Sequence, residues 1–336
     1  MKELLQKLCE VYGPCGHEAD VRNLIQKEIA GAVDDMRVDR LGNLIAVKRA
    51  NRATAEPRRR IMVAAHMDEI GVMVSHVDEK GFLRFTPVGA VLPYTLFGSQ
   101  VLFARGTRGT FGMEGKPLAT EKPEPSKMFI DVGATDKETA PVQVGDVGVF
   151  RTPFVDLGNN RFLGPNFDDR AGCAVLVQAL KEMESTANEI YAVFTVQEEV
   201  GVRGATTAAF GVEPDVALAI DVTLTGDFPE AHTMDVALGA GPAIKVMDKR
   251  MIAHPGVRAW LVNTAEALEI PYQLEVLEYG STDAAAIQLS RSGAPAGAVS
   301  LPSRYIHTPT QMIDFDDLEH TVRLLVNALS DPVDLG

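Results

Sequence analysis

Residues 61–68 read IMVAAHMD. Five apolar residues run without a break into His66, and Asp68 follows one residue later. A short, uninterrupted apolar run reads as a strand buried on both faces, the pattern of a parallel sheet. The design recurs three times. YAVFTV (191–196) runs through Gln197 into Glu198 and Glu199, VALAI (216–220) into Asp221, and AGAVSL (296–301) into the segment that ends at His307. Helical patterns flank these runs. Residues 19–30 carry Val21, Leu24, Ile25 and Ile29 on one face, residues 256–269 carry Val257, Leu261, Ala265 and Leu268, and residues 316–329 carry Leu318, Val322, Leu325 and Leu329. Strands alternating with helices predict an α/β fold, its sheet covered by helices on both faces.

The stretch from 71 to 160 has another character. GVMVSHV, FLRFTPVG, QVLFA, MFIDVG and VGDVGVF are short β-like runs punctuated by Gly and Pro. They predict a small all-β, barrel-like domain inserted into the α/β domain. The expected catalytic domain is therefore discontinuous, 1–70 and 161–336. Residues 113–127 (MEGKPLATEKPEPSK) are rich in Pro and charge and read as an exposed loop of the insert.

Composition narrows the function classes. The chain has 336 residues, 46% of them hydrophobic, enough for about two domains. Its formal net charge of -14 repels phosphates, so nucleic acid is a poor partner. The three cysteines, Cys9, Cys15 and Cys173, form no CxxC pair and offer no disulfide framework, which fits a reducing compartment. Cys173 reads as a small buried residue of a helix. No apolar run reaches the ~18 residues that span a bilayer. The N-terminus MKELLQKLCE reads as a charged amphipathic helix and not as a signal peptide. The expectation is a cytoplasmic protein with no membrane partner.

The chemistry gathers where the buried strands end. In open α/β sheets ligands bind beyond the carboxyl ends of the strands, so His66, Asp68, Glu198, Glu199, Asp221 and His307 can converge on one crevice. His66 and Asp68, one residue apart, would face the same side of an extended chain. That lets the imidazole bind a metal while the carboxylate supports it. The motif NFDDRAGCAVLVQAL sets Asp168 and Asp169 before an apolar helix; they are either ordinary caps or a bridge between two cations. Glu198 and Glu199, adjacent at a strand end, point in different directions, so one can bind metal while the other serves as general base. Asp168, Glu199 and Asp221 with neutral His66 and His307 balance two divalent ions and a hydroxide. Mixed imidazole and carboxylate donors suit zinc or cobalt. His17, His76, His232, His254 and His320 are not expected to be ligands.

These residues resemble the M42 family of metallo-aminopeptidases, which includes the tetrahedral TET peptidases. GPCGHE (13–18), DRLGNLIA (39–46), AAHMDEIG (64–71), NFDDR (166–170), VQEEVGVRGA (196–205), AIDVT (219–223), GSTDA (280–284) and SRYIHTP (303–309) carry the resemblance in the family's order. It implies a mixed-sheet zinc-peptidase domain, with His66, Asp168 and Asp221 on one metal and Asp168, Glu199 and His307 on the other. It also implies Glu198 as base, Asp68 as a supporting catalytic carboxylate, and a β insert used for dimerisation in assemblies up to a tetrahedral dodecamer. The family usually has Lys-Ala before its Asp-Asp-Arg, where this chain has Asn166 and Phe167. The expected reaction is removal of the N-terminal residue from short peptides with a free N-terminus. Its nucleophile would be a water bridging two divalent ions, zinc or cobalt. A related di-metal amidohydrolase or deacylase, or an inactive scaffold, is the alternative. A glycosidase is disfavoured, because one base and two metals are not the opposed carboxylates of that chemistry.

Overall fold

The computed structural model describes residues 1–115, 123–231 and 233–336. Two amphipathic helices open the chain. α1 (Lys2–Glu10) buries Leu4, Leu5, Leu8 and Cys9, and α2 (Ala19–Ile29) buries Val21, Ile25 and Ile29. The hairpin β1 (Asp35–Val38) and β2 (Leu44–Lys48) leads to β3 (Arg60–His66). Six strands then close a barrel: β4 (Gly71–Val77), β5 (Leu83–Val88), β6 (Gln100–Phe103), β7 (Arg108–Met113), β8 (Met128–Asp131) and β9 (Val147–Phe150), in the order β4-β5-β8-β7-β6-β9. Val72, Leu83, Phe85, Phe111, Ile130 and Phe150 fill it. Closure of β9 on β4 leaves no free edge.

The chain returns through β10 (Val155–Gly158) and β11 (Arg161–Gly164) to α3 (Phe167–Glu182), β12 (Glu189–Thr195), α4 (Arg203–Val212), β13 (Val216–Thr223), β14 (Ala243–Met247), α5 (Pro255–Ala267), β15 (Gln273–Val276), α6 (Ala284–Ile287), β16 (Ala296–Arg304), β17 (Gln311–Asp314) and α7 (Phe315–Ser330). The large sheet has eleven strands, ordered β1-β2-β12-β3-β13-β16-β17-β11-β10, with β14 and β15 branching from β16. β10 lies within the span 71–160 but pairs with β11 in this sheet, so the barrel strands proper end at Phe150. Of the Pro- and charge-rich stretch 113–127, residues 116–122 lie outside the described residues.

The four apolar runs are β12, β3, β13 and β16, and all three of their pairings are parallel. Side chains alternate across the sheet. Ile61, Val63, Leu218, Ile220, Phe194 and Val299 point toward α1, α2, α3 and α7 in the larger core. Met62, Ala64, Ala217, Ala219 and Ala298 point the other way, toward α4 and α6. That second face is rich in alanine, so short helices with alanine faces of their own (Ala205, Ala208, Ala209, Ala284, Ala285) can pack closely against it. Cys173 is buried in α3. Among the described residues no helix is long and apolar enough to cross a membrane.

Candidate functional site

Parallel pairing puts the carboxyl ends of β3, β12, β13 and β16 on one edge of the sheet, and the register fixes their relative height. Thr195 stands opposite His66, and Asp221 opposite Ser300. His66 is the last residue of β3, Asp221 lies inside β13, Glu198 and Glu199 follow the end of β12, and His307 follows β16. Asp168 enters from the start of α3, where its backbone is still extended.

These side chains form two triads. His66, Asp168 and Asp221 make one and Asp168, Glu199 and His307 the other, with one N or O atom from each residue within 4.8 Å of the others in its triad. Asp168 belongs to both, one oxygen to each: Oδ1 is 3.0 Å from His66 Nε2, and Oδ2 is 3.2 Å from His307 Nε2. Asp221 Oδ1 lies 3.8 Å from His66 Nε2, and Glu199 Oε2 lies 3.4 Å from His307 Nε2. Asp169 does something else. Its carboxylate accepts from the backbone N–H groups of Gly172 at 3.0 Å and His66 at 3.2 Å, so it caps α3 and ties it to β3.

Around the triads the chain sets orientation. His66 Nδ1 faces the backbone oxygen of Asp68 at 3.1 Å, which directs Nε2 into the cluster. The fully buried Asp68 carboxylate accepts from the N–H groups of Glu198 (2.9 Å) and Glu199 (3.1 Å), so it fixes the turn that carries both glutamates. Gln311 Oε1 accepts from Asp168 N–H at 2.9 Å, and Asp283 accepts from Thr195 Oγ1 at 2.5 Å behind the cluster. Sequence reasoning singled out neither Gln311 nor the bond from Thr195 to Asp283.

Electrostatics follow from crowding carboxylates out of water. Burial pushes Glu198 and Asp221 well above the usual carboxylate range, reinforced by their acidic neighbours, and pushes Glu199 up as well. Asp168 goes the other way. Burial would raise it, but hydrogen bonds with His307 and His66 outweigh that and hold it low. Burial would likewise lower both imidazoles; the carboxylates reverse it, raising His66 and taking His307 to about 11, with Glu199 and Asp168 responsible. Acidic donors thus outnumber the two basic ones. Each triad offers one imidazole and two carboxylates, so the donor set fits a pair of divalent cations sharing Asp168.

Asp168, Asp221, Glu199 and His307 line a cleft of about 640 Å³ together with Glu198, while His66 is buried. Much of the rest is apolar: Leu92 from the barrel's β5–β6 connection, then Val222, Leu224, Leu277, Tyr279 and Ile306. Glu198 belongs to neither triad. His17, His76, His254 and His320 also stand outside them, and His254 caps α5 by accepting from Gly256 N–H at 3.2 Å. His232 lies outside the described residues.

Comparison with known proteins bears on the family and the fold. The family model for M42 glutamyl aminopeptidase matches residues 42–324. A candidate aminopeptidase of Acetivibrio thermocellus is 48% identical over 331 residues, covering 98% of each chain. The solved aminopeptidase APDkam598 of the archaeon Desulfurococcus kamchatkensis superposes with a TM-score of 0.93 at 40% identity, over 98% of this chain and 94% of that one. The TET1 peptidase of Pyrococcus horikoshii, which can assemble into a tetrahedron or a large octahedral shell, gives 0.86 at 32% identity over 98% of each chain.

Proposed function

The chain belongs to the M42 glutamyl aminopeptidase family, and from that premise we propose that it removes the N-terminal residue from short peptides at the cleft beyond β3, β12, β13 and β16. His66, Asp168 and Asp221 would hold one divalent ion and Asp168, Glu199 and His307 a second, zinc or cobalt by the chemistry of the donors. When bound, such ions lower the pKa of water and polarise a carbonyl. Glu198 is the general base. Its carboxylate lines the cleft, makes no hydrogen bond to another described residue, and is made more basic by burial. It takes a proton from the attacking water and returns it to the leaving amine as the peptide bond breaks. Asp68 supports this by fixing both the His66 ring and the backbone of Glu198.

The observation that carries the reading is the pair of triads sharing Asp168, with Glu198 beside them making no hydrogen bond from its side chain to another described residue. The test compares peptides with free and N-acetylated N-termini. Aminopeptidase action requires cleavage of the free form and little of the blocked one. The reverse preference would make the protein a deacylase with the same metal chemistry, and metal-loaded protein that cleaves neither would be a scaffold. Because β10 belongs to the large sheet, we place the catalytic unit at 1–70 and 151–336 rather than 1–70 and 161–336, and propose that the inserted barrel, 71–150, mediates dimerisation within a homo-oligomer, as the assembly of the TET1 relative suggests. A net charge of -14 and free cysteines fit a cytoplasmic enzyme acting on peptides, without nucleic-acid or membrane partners.

A further inference from the structure

The loop Gly13–Glu18, between α1 and α2, contributes no atom to either triad, yet it is fastened to the reaction site at several points. Glu69 N–H donates to Gly13 O at 3.2 Å, and Gly13 N–H donates to Glu69 Oε1 at 2.9 Å. Pro14 bridges to Glu69 as a strand partner. This backbone stitching sets two side chains against the turn after β12. Cys15 Sγ donates to Asp68 Oδ2 at 2.9 Å, the oxygen that also receives Glu199 N–H. Glu18, 5% exposed, accepts on one oxygen from both Gly16 N–H (2.7 Å) and Gln197 N–H (3.2 Å).

Three successive amides, those of Gln197, Glu198 and Glu199, are therefore each held by a buried carboxylate: Glu18 for the first and Asp68 for the next two. The turn needs such holding, because Gln197 sits in the left-handed region at φ +55, which a non-glycine residue adopts only under constraint. The Cys15 thiol is protonated, since burial and the adjacent Asp68 carboxylate both disfavour a thiolate. A protonated thiol can only act here as a donor, and it orients the Asp68 carboxylate toward the two amides.

We infer that Cys15 and Glu18 are positioning residues for the proposed reaction: Cys15 aims Asp68, Glu18 holds Gln197, and together they set the directions in which the Glu198 and Glu199 side chains leave the turn. The inference rests on the aminopeptidase reading for its kinetic consequence but not for its structural one, so the test has two arms. In the first, amide hydrogen exchange is followed over residues 196–200 in wild type, Cys15→Ala, Cys15→Ser and Glu18→Gln. Cys15→Ala should raise exchange there by about tenfold, the effect of losing one bond to a charged group, and Glu18→Gln, whose amide oxygen still accepts but carries no charge, by about threefold, with protection in β3 and α3 unchanged. Cys15→Ser, which keeps a donor, should restore it. In the second arm, kcat for a free dipeptide substrate should fall about tenfold in Cys15→Ala with KM and metal content close to wild type, and Cys15→Ser should recover most of it. Exchange unchanged in Cys15→Ala and Glu18→Gln would overturn the inference, as would a Cys15→Ser variant no better than Cys15→Ala in both arms. Exchange that behaves as described in a protein without peptidase activity would uphold the positioning role and defeat only the reaction assigned to the site.

Discussion

Glu198→Gln and Glu199→Gln are neighbouring, isosteric changes that should fail in different ways. Asp68 holds both backbone amides, at 2.9 and 3.1 Å, so neither substitution moves the turn. The side chains diverge. Glu199 Oε2 lies 3.4 Å from His307 and inside a triad with Asp168, whereas Glu198 belongs to no triad. Glu199→Gln removes one unit of negative charge from beside the proposed second ion. A unit charge roughly 4 Å from a divalent ion, at an effective dielectric of about 20, is worth ~8 kcal/mol, an upper bound of about 10⁶-fold in metal affinity. Glu198→Gln keeps that charge set and removes a base, which accounts for about 10²- to 10⁴-fold in rate. The assay is metal content by elemental analysis, with kcat at saturating and at limiting metal. Glu198→Gln should carry two ions and turn over at least about a hundredfold more slowly under both conditions. Glu199→Gln should lose its second ion on dilution and regain activity with added metal. Loss of metal in Glu198→Gln with retention in Glu199→Gln would show the roles to be reversed. Full metal and near-normal turnover in both would place the reaction elsewhere.

Other consequences can be checked independently. The purified protein should bind two divalent ions per chain and lose activity to a chelator; full activity with at most one tightly bound ion would refute the paired triads. Light scattering should report at least a dimer and, on the precedent of the TET1 relative that can assemble into a tetrahedron, a larger closed assembly, whereas a monomer at working concentration would refute it. Lys245→Met should destabilise the fold by about 3–5 kcal/mol in urea, because it leaves Glu275 charged and buried without the partner 2.5 Å away; a loss below about 1 kcal/mol would contradict that pairing. Asp227 should govern part of the acid limb. Burial pushes it up, but the Arg304 guanidinium, which donates to both carboxylate oxygens, and the backbone N–H of Leu238 outweigh this and bring it down to about 2. A depressed carboxylate stabilises the fold above its unfolded pKa of ~3.9 and loses that contribution as pH falls toward the folded value. Asp227→Asn should therefore flatten the stability curve between about pH 4 and pH 2, and an unchanged acid limb would refute it.

The sheet was legible because its central strands are buried on both faces. IMVAA, YAVFTV, VALAI and AGAVSL are continuous apolar runs, and each is a parallel strand of the large sheet. The amphipathic helices at both ends could be read from their stripes, since Val21, Ile25 and Ile29, or Leu318, Val322 and Leu325, return at helical spacing and are buried. What the runs did not disclose is their asymmetry. In VALAI, Leu218 and Ile220 face one core while Ala217 and Ala219 face the other, and only the packing of α4 against the alanines gives that alternation a meaning. The end of the barrel was also hidden. β10 is a short, exposed strand whose residues do not differ in kind from those of the barrel, and its partner, β11, decides which sheet it joins.

His66, Glu199, Asp221 and His307 could be brought together because topology makes strand ends meet: a residue at the end of an apolar parallel strand is placed on the sheet's carboxyl edge, whereas Asp168, at the start of α3, follows no such strand. The residues that orient them carry no such mark. Cys15 reaches Asp68 across 53 positions, Gln311 reaches Asp168 across 143, and Glu18 reaches Gln197 across 179. Each acts on a backbone amide or a single carboxylate oxygen, and a contact of that kind needs only the right atom at the right place, whatever the local pattern. Asp168 and Asp169 make the same point at one position apart. In sequence they are equivalent, and the fold separates them by what stands opposite: two imidazoles for Asp168, two backbone amides for Asp169. The proposed chemistry of this cleft thus draws on two sets of residues, the cluster that strand order gathers and the distant side chains hydrogen-bonded around it, and only the first could be read before the chain was folded.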